Sequence, residues 1–112
     1  MKLTPQQKAL LSTLQYQFTD DTLFVRALTH SSVGKSSMSN NQSLEFLGDR
    51  VLGLIIAERL LKENIEASEG YIHPQFSALV KKETCADIAT KIDLGESLLM
   101  SRSESLSGGR KR

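Results

Sequence analysis

A chain of 112 residues with a single cysteine, Cys85, holds one small domain and excludes both an internal disulfide and a cysteine-based zinc site. Hydrophobic residues at 39% and charged residues at 24% exclude wholesale disorder, and no apolar run reaches the ~18 residues of a membrane span. A net charge of only +1 excludes binding to a polyanion by bulk charge alone, so any such contact must use local clusters, metal ions or further sequence.

The opening, Met1-Lys2-Leu3-Thr4-Pro5-Gln6-Gln7, has no apolar stretch of the secretory kind. With one thiol, this makes a reducing cytoplasm the expected compartment. Pro5 suits a first helical turn, and Leu10, Leu11 and Leu14 recur at helical spacing, which predicts a helix over 5–15. Asp20 or Asp21 starts a second helix carrying Leu23, Phe24, Val25, Ala27 and Leu28, ending near Thr29-His30. Residues 31–41 are serine-rich and without periodicity, and read as a mobile loop.

The strongest helix spans 42–62, where Leu44, Leu47, Val51, Leu54, Ile55 and Leu61 form a wide apolar stripe. Ser68-Glu69-Gly70 reads as a turn, with His73 as a cap and Pro74 in the first turn of the next helix, through Phe76, Ala78, Leu79 and Val80. Glu83-Thr84 opens another through Ala86, Ile88, Ala89 and Ile92, with Gly95 as its C-cap. Residues 101–112 read as a polar, glycine-bearing tail in which Arg102, Arg110, Lys111 and Arg112 face only Glu104, leaving residues 1–100 net acidic. No stretch alternates with period two and no repeat is visible, so the expected class is all-α.

The informative segment is Leu44-Glu45-Phe46-Leu47-Gly48-Asp49. Glu45 and Asp49, four apart, lie one above the other on one helix face, where like charges cost a few tenths of a kcal/mol. Leu52 and Ile56 continue that face, and carboxylates beside apolar groups are costly to keep ionised unless a cation compensates. A hard divalent ion with oxygen ligands is the natural compensator. The plain alternative is a pair of solvated helix residues. Gly48 costs about 1 kcal/mol against alanine inside a helix, and close approach of a backbone or ligand is its usual reason. Phe46 faces another side than Leu44 and Leu47, as core or as an anchor for a partner chain. His30 and Cys85 read as a capping or packing residue and a small packed residue.

The run Leu44-Glu45-Phe46-Leu47-Gly48-Asp49-Arg50-Val51-Leu52 closely resembles the signature of the ribonuclease III endonuclease domain. Ala27-Leu28-Thr29-His30-Ser31-Ser32 before it resembles the same family, as do Glu69-Gly70, Ala78-Leu79-Val80, Glu83-Thr84, Leu94-Gly95-Glu96 and Ser107-Gly108-Gly109-Arg110 after it, in colinear order. The resemblance implies an all-helical endonuclease domain that homodimerises and cleaves double-stranded RNA with Mg²⁺, which Mn²⁺ can replace, as in processing of ribosomal and other RNA precursors. It implies Glu45 as a metal ligand, Asp49 as a ligand and essential catalytic acid group, and Phe46 as a dimer contact.

There are departures from the pattern. Gln42 stands where many members carry an acidic residue that assists the site, and His73-Pro74-Gln75-Phe76 replaces a more basic stretch. Glu69 matches an acidic position at the site's periphery, and a turn residue is the alternative. The family continues past Gly108-Gly109-Arg110 into a helix with a second carboxylate pair and then a double-stranded-RNA-binding domain. Residues 1–112 therefore read as the front portion of the endonuclease domain, holding half of the metal site and expected to be inactive alone. The rival readings are a non-catalytic helical module for RNA or protein, and a small DNA-binding regulator. The intact carboxylate pair argues against the first, and the lack of a recognition helix rich in Arg, Lys, Asn and Gln against the second.

Overall fold

The computed structural model describes residues 2–33 and 39–111, the last as backbone only. The middle of the expected mobile loop, residues 34–38, lies outside the described residues. Six helices follow one another: α1 (Pro5–Leu14), α2 (Thr22–Ala27), α3 (Gln42–Glu63), α4 (Glu69–Val80), α5 (Lys82–Lys91) and α6 (Arg102–Leu106). Two 3₁₀ turns, Leu94–Ser97 and Gly109–Lys111, complete the described chain, which is all-α apart from one isolated parallel bridge between Thr29 and Leu99.

Thr4 caps α1 reciprocally: its Oγ1 accepts from the Gln7 N–H and Gln7 Oε1 accepts from the Thr4 N–H, both at 3.1 Å. Gln7 is buried, and its Nε2 donates to the carbonyl of Ser97 at 3.2 Å. Ser97 Oγ returns a bond to the Gln6 carbonyl, also at 3.2 Å. This exchange seats α1 on the 3₁₀ turn. At the head of α2 the backbone N–H of Thr22, then its hydroxyl, hold the Asp20 carboxyl below its ordinary value. Replacing Gln7 with alanine strands the Ser97 carbonyl and opens the cap. We expect a loss of about 1–3 kcal/mol in urea unfolding; an unchanged midpoint would contradict the buried tie.

The core lies at this end. Leu10, Phe24 and Leu28 are buried together, with Leu3, Leu11, Phe18, Ile92, Leu94 and Leu98 packed around them. The expected apolar stripe of α3 does not join it. Leu47, Val51, Leu54, Ile55 and Leu61 are exposed, Leu54 by 71%, and only Leu60 of α3 is buried. One flank of α3 meets α4, where Phe76 lies against Gly53. The radius of gyration, 16.1 Å, exceeds the ~13 Å of a compact chain this long, because the α3–α4 pair extends from the core with its apolar flank bare.

Several expected boundaries move. Glu69 and Gly70 are already helical rather than a turn, so Pro74 sits inside α4 and His73 is a helical residue, not a cap. The first bonds of α4 run from Tyr71 and Ile72 to the Ser68 carbonyl, upstream of the N–H that Pro74 lacks. Gly95 is not the cap of α5, which ends at Lys91 with Ile92. It sits in the 3₁₀ turn because a side chain there would run into the Arg110 backbone. Nor is the tail simply solvated. Ser101 Oγ accepts from the Glu104 N–H at 3.2 Å and starts α6. Gly108 turns with φ +89°, and Arg110 then reaches back to donate to the carbonyls of Gly95 at 3.0 Å and Leu98 at 2.6 Å.

Candidate active site

The first turn of α3 is set by α2. Arg26 donates from Nε to the Asn40 carbonyl at 3.1 Å and from a terminal nitrogen to Ser43 Oγ at 2.6 Å. Asn40 is buried, its Oδ1 accepts from the Gln42 N–H at 3.0 Å, and Asn41 N–H donates to the Thr29 carbonyl at 2.8 Å. These four bonds tie the head of α3 to α2 and its C-terminal end, so the direction of α3 is set before Glu45 is reached.

Glu45 and Asp49 then face a cleft of about 630 Å³, shared with Val80, Lys82, Cys85, Ala86, Ala89 and Leu94. The far wall comes from α5 and the 3₁₀ turn, so the C-terminal half of the chain closes the site that α3 opens. Both carboxylate residues are exposed, so the apolar surroundings expected for that face do not enclose them. Cys85 is half-buried, and its Sγ donates to the Val80 carbonyl at 3.8 Å, in keeping with a packed thiol.

The other residues singled out from the sequence stand apart from the pair. Gln42 is exposed on the first turn of α3, and its backbone N–H is taken by Asn40. Glu69 opens α4 and lines a different, apolar groove with Ala57, Leu61, Ile72 and Phe76. Phe46 is 64% exposed, with the Arg50 guanidinium carbon 4.1 Å above its ring. Of its two open readings, core or anchor, the core is excluded. Among the described residues, nothing outside the adjoining helix backbone and chain neighbours lies within 4 Å of where a side chain on Gly48 would begin. His30 Nδ1 accepts from the Ser32 N–H at 3.0 Å, and its Nε2 lies 3.9 Å from Glu104, which fits a packing role.

Arg26, Asn40 and Gln7 were not legible as site-building residues. Only Gln7 carried a signal, as the fourth residue of Thr4-Pro5-Gln6-Gln7. Among the described residues no group of three or more His, Cys, Asp or Glu side chains gathers to hold a metal. Glu45 and Asp49 are the two carboxylate residues that line their cleft. That fits partial coordination of an oxygen-preferring divalent ion completed by water, and does not fit zinc held by His and Cys. No helix among the described residues is long and apolar enough to cross a membrane.

Comparison with known proteins agrees with the helical fold. The model of the ribonuclease-III-like family matches residues 20–112. The Ribonuclease 3 of Ruegeria pomeroyi is 52% identical over all 112 residues, which make up 50% of that protein. The Ribonuclease 3 of Rhodobacter capsulatus is also 52% identical, with 49% of its length covered. The chain thus spans about half the length of the curated relatives it matches. Two solved structures of the nuclease domain of ribonuclease III from Campylobacter jejuni superpose with TM-scores of 0.87 and 0.88 at 40% and 38% identity. They cover 94% and 97% of this chain, and 72% and 73% of theirs. The first is described for structural flexibility in a region involved in dimer formation.

Proposed function

Because this chain belongs to the ribonuclease-III-like family, we propose that it supplies the Glu45–Asp49 half of a metal site for endonucleolytic cleavage of double-stranded RNA, as in RNA-precursor processing. The observation that carries this is the placement of both carboxylates in one cleft roofed by α5, on a helix whose start is locked by Arg26 and Asn40. Glu45 and Asp49 would hold Mg²⁺, or Mn²⁺ in its place. When bound, the ion supplies a water nucleophile at neutral pH and neutralises charge growing on the phosphate.

The chain's own part is to present two oxygen ligands from one helix turn, exposed at the cleft rather than packed in the core. Gln42, three residues before Glu45 and exposed, is a neutral amide where the family resemblance puts an acidic side chain. Sequence preference is expected to be weak, since A-form duplexes are read by shape, phosphates and 2′-hydroxyls. A cytoplasmic setting goes with this reading, and the lone thiol Cys85 suits a reducing compartment.

The test is one long paired RNA incubated with the protein in Mg²⁺ and in chelator. It is run on the chain and on the chain joined to the remaining half of a curated relative, because one carboxylate pair is half of the implied set. Metal-dependent scission of the duplex supports the reading. Equal cutting of a single-stranded RNA of the same sequence, or no cutting by the joined protein, overturns it.

Assembly as a homodimer through Phe46 is part of the same proposal. A ring 64% exposed beside a bare apolar flank is the pattern of a partner anchor. Phe46→Ala is expected to weaken the dimer by about 2 kcal/mol, roughly thirtyfold in dissociation constant. Sedimentation equilibrium giving the same constant for both proteins would remove Phe46 from the interface.

A further inference from the structure

We propose that Lys82 is the substrate-binding cation of the carboxylate cleft, contacting a phosphate of the RNA strand that lies across Glu45 and Asp49. The proposal rests on the duplex-cleavage reading and adds a residue to that site. Lys82 is the one basic side chain among those lining the cleft. Among the described residues no carboxylate stands within ion-pair distance of it, Glu45 and Asp49 included. Its charge is therefore not spent inside the chain, and it does not compete with a divalent ion for the pair.

Folding does not select a lysine at this position. Lys82 is the first residue of α5, where the positive end of the helix disfavours a cation and where the adjacent Glu83 is the favoured type. The corner that carries it is fixed. Lys81 alone separates α4 from α5, in an extended conformation. Thr84 Oγ1 donates to the Ala78 carbonyl across the break at 2.6 Å. A flexible four-carbon stem on a fixed base suits a phosphate, which needs a nearby point charge more than a rigid fork. The electrostatics also require it. Two exposed carboxylates repel the strand they act on. A cation held between them offsets only the phosphate it touches, so a neighbouring phosphate needs its own partner.

The experiment is binding of a fluorescent RNA duplex to the full chain across a salt series, with Ca²⁺ replacing Mg²⁺ so that the duplex stays intact. Lys82→Gln is expected to weaken binding about tenfold and to lower the slope of log affinity against log salt by about one. Lys82→Arg should keep the wild-type slope, and Lys81→Gln, outside the cleft, should change affinity by less than about twofold. Wild-type affinity and slope in a folded Lys82→Gln, or an equal loss in Lys81→Gln, would overturn the assignment while leaving duplex cleavage intact. A wild-type chain that does not bind duplex at low salt would overturn the Lys82 assignment, and the underlying reading falls only if the joined protein also fails to cut.

Discussion

In the chain joined to the remaining half of a relative, Asp49→Asn is expected to lower Mg²⁺-dependent duplex cleavage by at least ~100-fold, since even supporting residues of a metal site cost 10–100-fold when lost. Helical circular dichroism should not change, because the side chain is exposed and makes no bond that holds the fold. A second readout separates ligand loss from general damage. Mn²⁺ broadens nuclear resonances near its site, and titration into wild-type protein should first broaden amides of residues 45–49 of α3 and those of α5 across the cleft. In Asp49→Asn this selective broadening should vanish. Strong broadening that persists, together with turnover within about tenfold of wild type, roughly 1.4 kcal/mol of barrier, would place the metal elsewhere.

Gly95→Ala is expected to have the largest effect on stability, about 2–3 kcal/mol or about 10 °C or more in melting temperature. The added methyl meets the backbone of Arg110, which cannot rotate away as a side chain would. Moving that backbone also releases the Arg110 guanidinium from the carbonyls of Gly95 and Leu98. Gly48→Ala is the control of opposite sign. Among the described residues no atom fills the space its methyl would enter, so the ordinary helix preference for alanine of up to about 1 kcal/mol should appear in the unpartnered chain. Equal midpoints for wild type and Gly95→Ala would mean that the C-terminal segment is not clasped as described.

The elements that carry the site were legible because their signals are local. The spacing of Leu44, Leu47, Val51 and Leu54 marks α3, and the four-residue step from Glu45 to Asp49 places both on one side of it. What was not legible depends on partners far along the chain. The apolar stripe of α3 looks like core, yet burial is decided by what lies opposite, and the residues that pack inside are Leu10, Phe24 and Leu28 with Ile92, Leu94 and Leu98. Pro74 reads as a helix start because its ring suits that place, whereas Ser68 and Glu69 begin the helix a turn earlier. Arg26 gave no signal, since an arginine in a last turn is ordinary; its grip on Asn40 and Ser43 exists only once α2 and α3 meet. Glu104 did carry one, as the fourth residue of Ser101-Arg102-Ser103-Glu104, hidden by the polar character of the tail.

The bond from Gln7 to the Ser97 carbonyl also sets a schedule for synthesis. Its two ends are 90 residues apart in the chain. At about 5–20 residues per second the acceptor is made roughly 5–20 s after the donor. Through that interval α1 has no seat for its buried amide, and Leu10 lacks Leu94 and Leu98 as neighbours. Docking of the N-terminal helix therefore follows synthesis of the 3₁₀ turn and of Leu94 in the far wall of the cleft.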